Sequence, residues 1–122
     1  MPLRFLLDED CRGRLWDAIG DHNRRSHPII DAIRVGDLPD LPLGSLDPAI
    51  LVWAEDQGRI LVSLDKGTMI GHLQIHLDSG RHSPGVFVIR SRSRLRDLVD
   101  VLAYCNEGGQ PEEFADGWIF IP

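Results

Sequence analysis

Residues 46–65 read LDPAILVWAEDQGRILVSLD, and this stretch decides the fold. Asp47 suits an N-cap, Pro48 a first helical position and Gly58 a C-terminal stop, so the pattern predicts a helix between them. Directly after the stop, RILVSLD (59–65) is an apolar strand that does not alternate and that ends on an acid. A half-wet antiparallel strand would alternate with period two, whereas an unalternating one is buried on both faces. Helix followed by fully buried strand is the unit of a parallel sheet covered on both sides.

The same unit recurs to either side. Leu3–Leu7 is apolar apart from Arg4, then Leu15, Trp16 and Ile19 fall at helical spacing before Gly20. Ile29–Val35 alternates loosely and ends at Gly36, and GDLPDLPLGS (36–45) is a Pro/Gly-rich loop. Beyond Asp65, a helix is expected over Lys66–Leu77 through Met69, Ile70, Leu73 and Leu77, weakened by Gly67 and Gly71. GVFVI (85–89), RSRSRLRDLVDVLAYC (90–105) and GWIFI (117–121) then give strand, helix, strand. The expectation is an α/β fold: a three-layer α/β/α sandwich with a mostly parallel sheet of about five strands, in one domain over 1–122. No internal repeat, linker or low-complexity tract interrupts it.

Composition agrees. The 122 residues are 43% hydrophobic and 26% charged, enough for one core. No apolar run approaches the roughly 20 residues that cross a bilayer, and Met1 leads straight into strand-like sequence, so a cytoplasmic protein without membrane contact is expected. The net charge of -6 argues against a protein that coats nucleic acid over a long footprint, but not against an enzyme that meets phosphate through metal ions. Lys66 is the only lysine; every other cation among Lys and Arg is an arginine. Cys11 and Cys105 stand far apart without metal-ligand spacing and read as free thiols.

Asp8 and Asp65 each end an apolar strand, with Glu9 and Asp10 directly behind the first, and Asp47 opens a helix. In parallel α/β units the carboxyl ends of strands and the amino ends of the following helices share one edge, where sites form. Each acid taken singly is a helix cap. Taken together they form a cluster in which two carboxylates about 4 Å apart repel by roughly 4 kcal/mol at an effective dielectric near 20. A divalent cation offsets such repulsion, and oxygen-only ligands suit Mg²⁺ or Mn²⁺, not zinc.

RFLLDEDCRGRL, GDLPDLPLGSLDPAILVWAEDQGRILVSLDK and PGVFVIR together resemble the short PIN-like domain proteins, a branch of the PIN nuclease fold found beside small antitoxin-like proteins. The resemblance covers about the first three quarters of the chain. It implies a metal-dependent ribonuclease, the toxin-like half of a two-protein module, with RNA as substrate, a small antitoxin-like partner and a homodimer as a further state. Asp8, Asp47 and Asp65 fall on the family's acidic positions and would hold Mg²⁺ or Mn²⁺, with Glu9 or Asp10 as the extra catalytic acid. Two departures stand out: Gly67 and Thr68 occupy the place of a second acid and an aromatic, and Asp10 replaces an asparagine. They keep open a PIN-like domain that binds protein or RNA without cleaving. A phosphoacceptor receiver domain is set aside, because no lysine follows a late strand.

Lys66, beside Asp65, is a phosphate contact or a solvated side chain. Ser91 or Ser93 caps the helix in which Arg92, Arg94 and Arg96 crowd the first turns, where the macrodipole disfavours cations. These arginines contact phosphate or an acidic partner, or form a solvated run; Arg12, Arg14, Arg24 and Arg25 carry the same alternatives. His72 and His76, four apart without a third ligand, read as surface histidines, and His22, His27 and His82 receive no role. Trp16, Trp53 and Trp118 are expected in the core.

Overall fold

The structure, a computed structural model, describes residues 3–11, 13–64, 67–90 and 92–122. Strand β1 (Arg4–Leu7) leads through a 3-10 turn (Glu9–Cys11) to helix α1 (Arg14–Arg25), and β2 (Asp31–Arg34) follows. Then come α2 (Asp47–Gln57), β3 (Ile60–Leu64), α3 (Met69–Asp78) and β4 (Val86–Ile89). Helices α4 (Leu95–Gly108) and α5 (Pro111–Phe114) precede β5 (Trp118–Ile121). The strands form one sheet in the order β2-β1-β3-β4-β5, and every pairing is parallel.

Two apolar clusters cover the two faces, which makes the molecule a three-layer α/β/α sandwich. On one face Phe5, Leu7, Val62, Phe87 and Ile89 meet Leu15 and Ile19 of α1 and Leu98 and Leu102 of α4. On the other, Leu6, Leu61, Val86 and Val88 meet Ile50, Leu51 and Ala54 of α2 and Met69 and Leu73 of α3. Because alternate residues of one strand serve opposite layers, β1, β3 and β4 must be apolar throughout, and each fully buried Leu, Ile or Phe contributes about 1.5–3 kcal/mol.

Helix α2 stops where Gly58 takes the left-handed region (φ 68°) and its N–H reaches the carbonyls of Ala54 and Glu55. At the other end the cap is Leu46, not Asp47, and Asp47 is the first helical residue with no side-chain capping bond. Its carboxylate is therefore left for tertiary contacts. Helix α1 continues through Gly20 to Arg25. Ser93 does not cap α4; its hydroxyl bonds the Arg90 carbonyl at 2.8 Å, and Arg94 holds the cap position without a side-chain bond. Helix α3 starts at Met69, while Lys66, the first residue of the expected helix, lies outside the described residues.

The tryptophan and histidine expectations divide. Trp16 and Trp53 pack at the borders of the two clusters, as expected of core residues, but Trp118 is 40% exposed because β5 is an edge strand. His76 is buried rather than at the surface: its Nε2 meets the His82 carbonyl at 2.8 Å and the Glu55 carboxylate at 3.1 Å. Cys11 and Cys105 are free thiols. Among the described residues no helix is long and apolar enough to cross a membrane.

Candidate functional site

From β1 the chain turns to the α1 layer and on to β2 at one side; from β2 it crosses by the α2 layer to β3 on the other side of β1. The segments leaving β1 and β3 therefore diverge toward opposite layers, and a crevice opens where the strand order reverses. A cleft of about 350 Å³ occupies this point, and Asp8, Glu9, Asp10 and Asp47 all line it.

Asp8 is held by the sheet itself. Its N–H donates to the Val62 carbonyl at 2.9 Å, which prolongs the β1–β3 ladder by one residue beyond Leu7. The residue is only 7% exposed, and its two carboxylate oxygens accept one bond each, from the Glu9 N–H at 2.8 Å and from the Ser63 hydroxyl at 3.0 Å. Burial pushes its pKa above the ordinary carboxylate value, the nearby charges of Asp10 and Asp47 add to this, and the two hydrogen bonds oppose it.

Each remaining acid has its own tether. Glu9 accepts the Gly44 N–H at 2.7 Å and so pins the loop ahead of α2 against the turn after β1. Asp10 accepts the Cys11 thiol at 3.3 Å, and burial, with the Asp10 charge second, drives that thiol far above its normal range. Cys11 is thus an inert thiol at neutral pH. Asp47 faces α3, where the Thr68 hydroxyl stands 3.5 Å and His72 Nε2 3.8 Å from its carboxylate.

The cleft thus brings together Asp8, Glu9, Asp10 and Asp47, while Asp65, Lys66 and Arg12 lie outside the described residues, as does Ser91. Leu64, the last residue of β3, lines the cleft wall. Gly67, where the resemblance expects an acid, has φ 76° with nothing within 4 Å of the place a Cβ would take, so backbone conformation and not crowding selects glycine there. Ser63, Thr68 and His72 were not singled out for the site. The available signal was local: Thr68 and His72 lie one helical turn apart at the amino end of α3, and Ser63 is the one polar residue inside the β3 run.

Beside the cleft, a second depression of about 270 Å³ shares Asp10 and Leu64 with it and is lined also by Arg14 and Arg92. Arg92 and Arg94 are exposed. Arg24 pairs with Asp21 at the far end of α1, so Arg24 and Arg25 lie at the opposite edge of the sheet from the acids. The cleft's donors are carboxylate and hydroxyl oxygens, the chemistry that suits a hard divalent cation. Among the described residues no three carboxylate, imidazole or thiol groups gather at the spacing that holds one ion.

Set against known proteins, the chain matches no family model, no curated protein and no solved structure.

Proposed function

We propose that the protein is a Mg²⁺- or Mn²⁺-dependent ribonuclease of PIN-like type that hydrolyses phosphodiester bonds of RNA in the cytoplasm. The observation that supports this reading most is Asp8: a nearly buried carboxylate at the switch point of the sheet, joined in one cleft by Asp47 from a different layer. Burying a carboxylate is costly unless something uses it. A bound divalent ion supplies Lewis acidity at the phosphodiester.

The chain's own residues then divide the work. Asp8 and Asp47, with Asp65, hold the ion, and Ser63 fixes the Asp8 carboxylate in orientation. Glu9 or Asp10 orients the attacking water. Arg92 and Arg14 stand where phosphates flanking the cut would pass, and Arg12, Arg94 and Lys66 extend the same role. The resemblance to short PIN-like proteins adds the setting, a toxin-like component paired with a small antitoxin-like protein.

Gly67 in place of an acid favours a second reading, a PIN-like domain that binds RNA or protein without cleavage. Thermal unfolding with and without millimolar Mg²⁺ or Mn²⁺, alongside cleavage of single-stranded RNA, separates the two. Metal-dependent stabilisation and cleavage in the wild type, both lost in Asp8→Asn and Asp65→Asn, support the nuclease. Stabilisation without cleavage supports the binding module. Absence of both effects in the wild type overturns the metal reading altogether.

A further inference from the structure

The two edges of the sheet differ in how they meet solvent. At the β2 edge, Asp31 and Arg34 carry charges at both ends of the strand, and Asp31 is paired with Arg59. Charged edge strands discourage pairing with another chain. At the β5 edge, Trp118, Ile119, Phe120 and Ile121 carry none, and the first three are 40%, 40% and 37% exposed.

The register fixes which backbone groups are free. The Val86 N–H donates to the Gly117 carbonyl and the Arg90 N–H to the Ile121 carbonyl, with Val86 opposite Trp118 and Val88 opposite Phe120. In a parallel ladder with this phase, odd-numbered residues of β5 bond β4, and Trp118 and Phe120 turn N–H and C=O outward. Their side chains stack edge-to-face, with ring centroids 5.0 Å apart, on the face that α2 and α3 cover.

We propose that β5 pairs antiparallel with β5 of a second copy about a two-fold axis through Ile119. Trp118 of each copy then lies opposite Phe120 of the other, and their outward groups form four hydrogen bonds in two closely spaced pairs. On one face the two Trp118–Phe120 stacks join into a cluster of four rings; on the other, the two Ile119 side chains meet across the axis.

Charge selects this partner. The guanidinium of Arg90 sits 4.7 Å over the Phe120 ring at the carboxyl end of β5, and among the described residues no carboxylate pairs with it. Asp116, at the amino end, keeps a side chain 44% exposed beside its bonds to His82 and Ser83. Antiparallel pairing sets the amino end of one strand against the carboxyl end of the other, so Arg90 of each copy approaches Asp116 of its mate, twice. A parallel arrangement would give no such match. The inference is independent of the nuclease reading.

The axis makes the test specific. Residues that face each other across it form a non-hydrogen-bonded pair with Cα atoms about 4.5 Å apart, close enough for a disulfide. In a Cys105→Ser background, Ile119→Cys is expected to give a covalent dimer under mild oxidation, and Leu46→Cys, more exposed (75% against 40%) but remote, is not. Sedimentation equilibrium of the unmodified chain is expected to show a dimer. Arg90→Glu should weaken that dimer on the order of tenfold. Ile119→Lys, which sets like charges opposite each other, should weaken it further, with circular dichroism unchanged in both. A monomer at 100 micromolar or above, equal crosslinking at both cysteine positions, or a dimer indifferent to Ile119→Lys overturns the proposal.

Discussion

Ser63→Ala tests whether the Asp8 carboxylate is held as described. The Ser63 hydroxyl is buried, 3% exposed, and donates to Asp8 at 3.0 Å. A hydrogen bond to a charged group is worth about 1.5–3 kcal/mol, and a neutral one about 1 kcal/mol. The folded pKa of Asp8 is raised by burial above its ordinary value near 3.8. Asp8 therefore contributes stability that is full below pH 3.8 and is lost as pH rises through the folded value. Removing Ser63 raises that value further, so the variant's deficit must grow with pH. We expect about 1 kcal/mol below pH 3.8 and about 1.5–3 kcal/mol at pH 7. For 122 residues the latter is a fall in Tm of roughly 6–12 °C. Urea denaturation of wild type and variant at several pH values reads the difference directly. A deficit of the same size at every pH would refute the charge-based account and leave Ser63 as packing alone. In an Asp8→Asn background the pH dependence should vanish.

Asp8→Asn by itself is expected to raise stability at pH 7 and to leave it unchanged below pH 3.8, as urea titrations at the two pH values would show. Asn106 is 8% exposed, accepts the Leu3 N–H at 2.7 Å and donates to the Ile29 carbonyl at 2.9 Å, so Asn106→Leu strands both backbone groups and should cost about 2–3 kcal/mol in chemical denaturation. Gly85 (φ 124°) and Gly67 (φ 76°) separate conformation from crowding. A Cβ on Gly85 would lie 2.6 Å from the Phe114 carbonyl oxygen, whereas one on Gly67 meets nothing. Gly67→Ala should cost about 1–2 kcal/mol and Gly85→Ala clearly more, and equal losses in thermal melts would count against the close approach at Phe114.

The fold could be read from sequence because its evidence is local. The left-handed stop at Gly58 and the unalternating run of β3 need no knowledge of the rest of the chain, and β1 and β4 repeat the pattern. Strand order is different in kind, since nothing in Phe5 or Ile60 records that they are neighbours. Asp8, Glu9, Asp10 and Asp47 were legible because strand ends and helix starts share an edge. Asp47 was misjudged as a cap because the groups that meet its carboxylate, Thr68 and His72, lie 21 or more residues onward. His76 was misjudged for the same reason: Glu55 and the His82 carbonyl reach it from another helix and from the loop before β4. Helix α5 did leave a local signal. Gln110 and Glu113 form a capping box with Pro111 in the first turn, and the pattern went unread because the whole helix is only four residues long.

The central position of β1 bears on how the protein is made. Phe5 pairs with Ala32 on one side and with Ile60 on the other, and the Asp8 N–H waits for the Val62 carbonyl. A ribosome that adds about 5–20 residues per second leaves β1 without its second neighbour for several seconds after it emerges. During that interval Phe5, Leu6 and Leu7 have an open flank that a chaperone can occupy, and the acidic cleft does not yet exist. If the cleft cuts RNA, the nascent chain stays harmless to the message that encodes it until β3 is out of the tunnel.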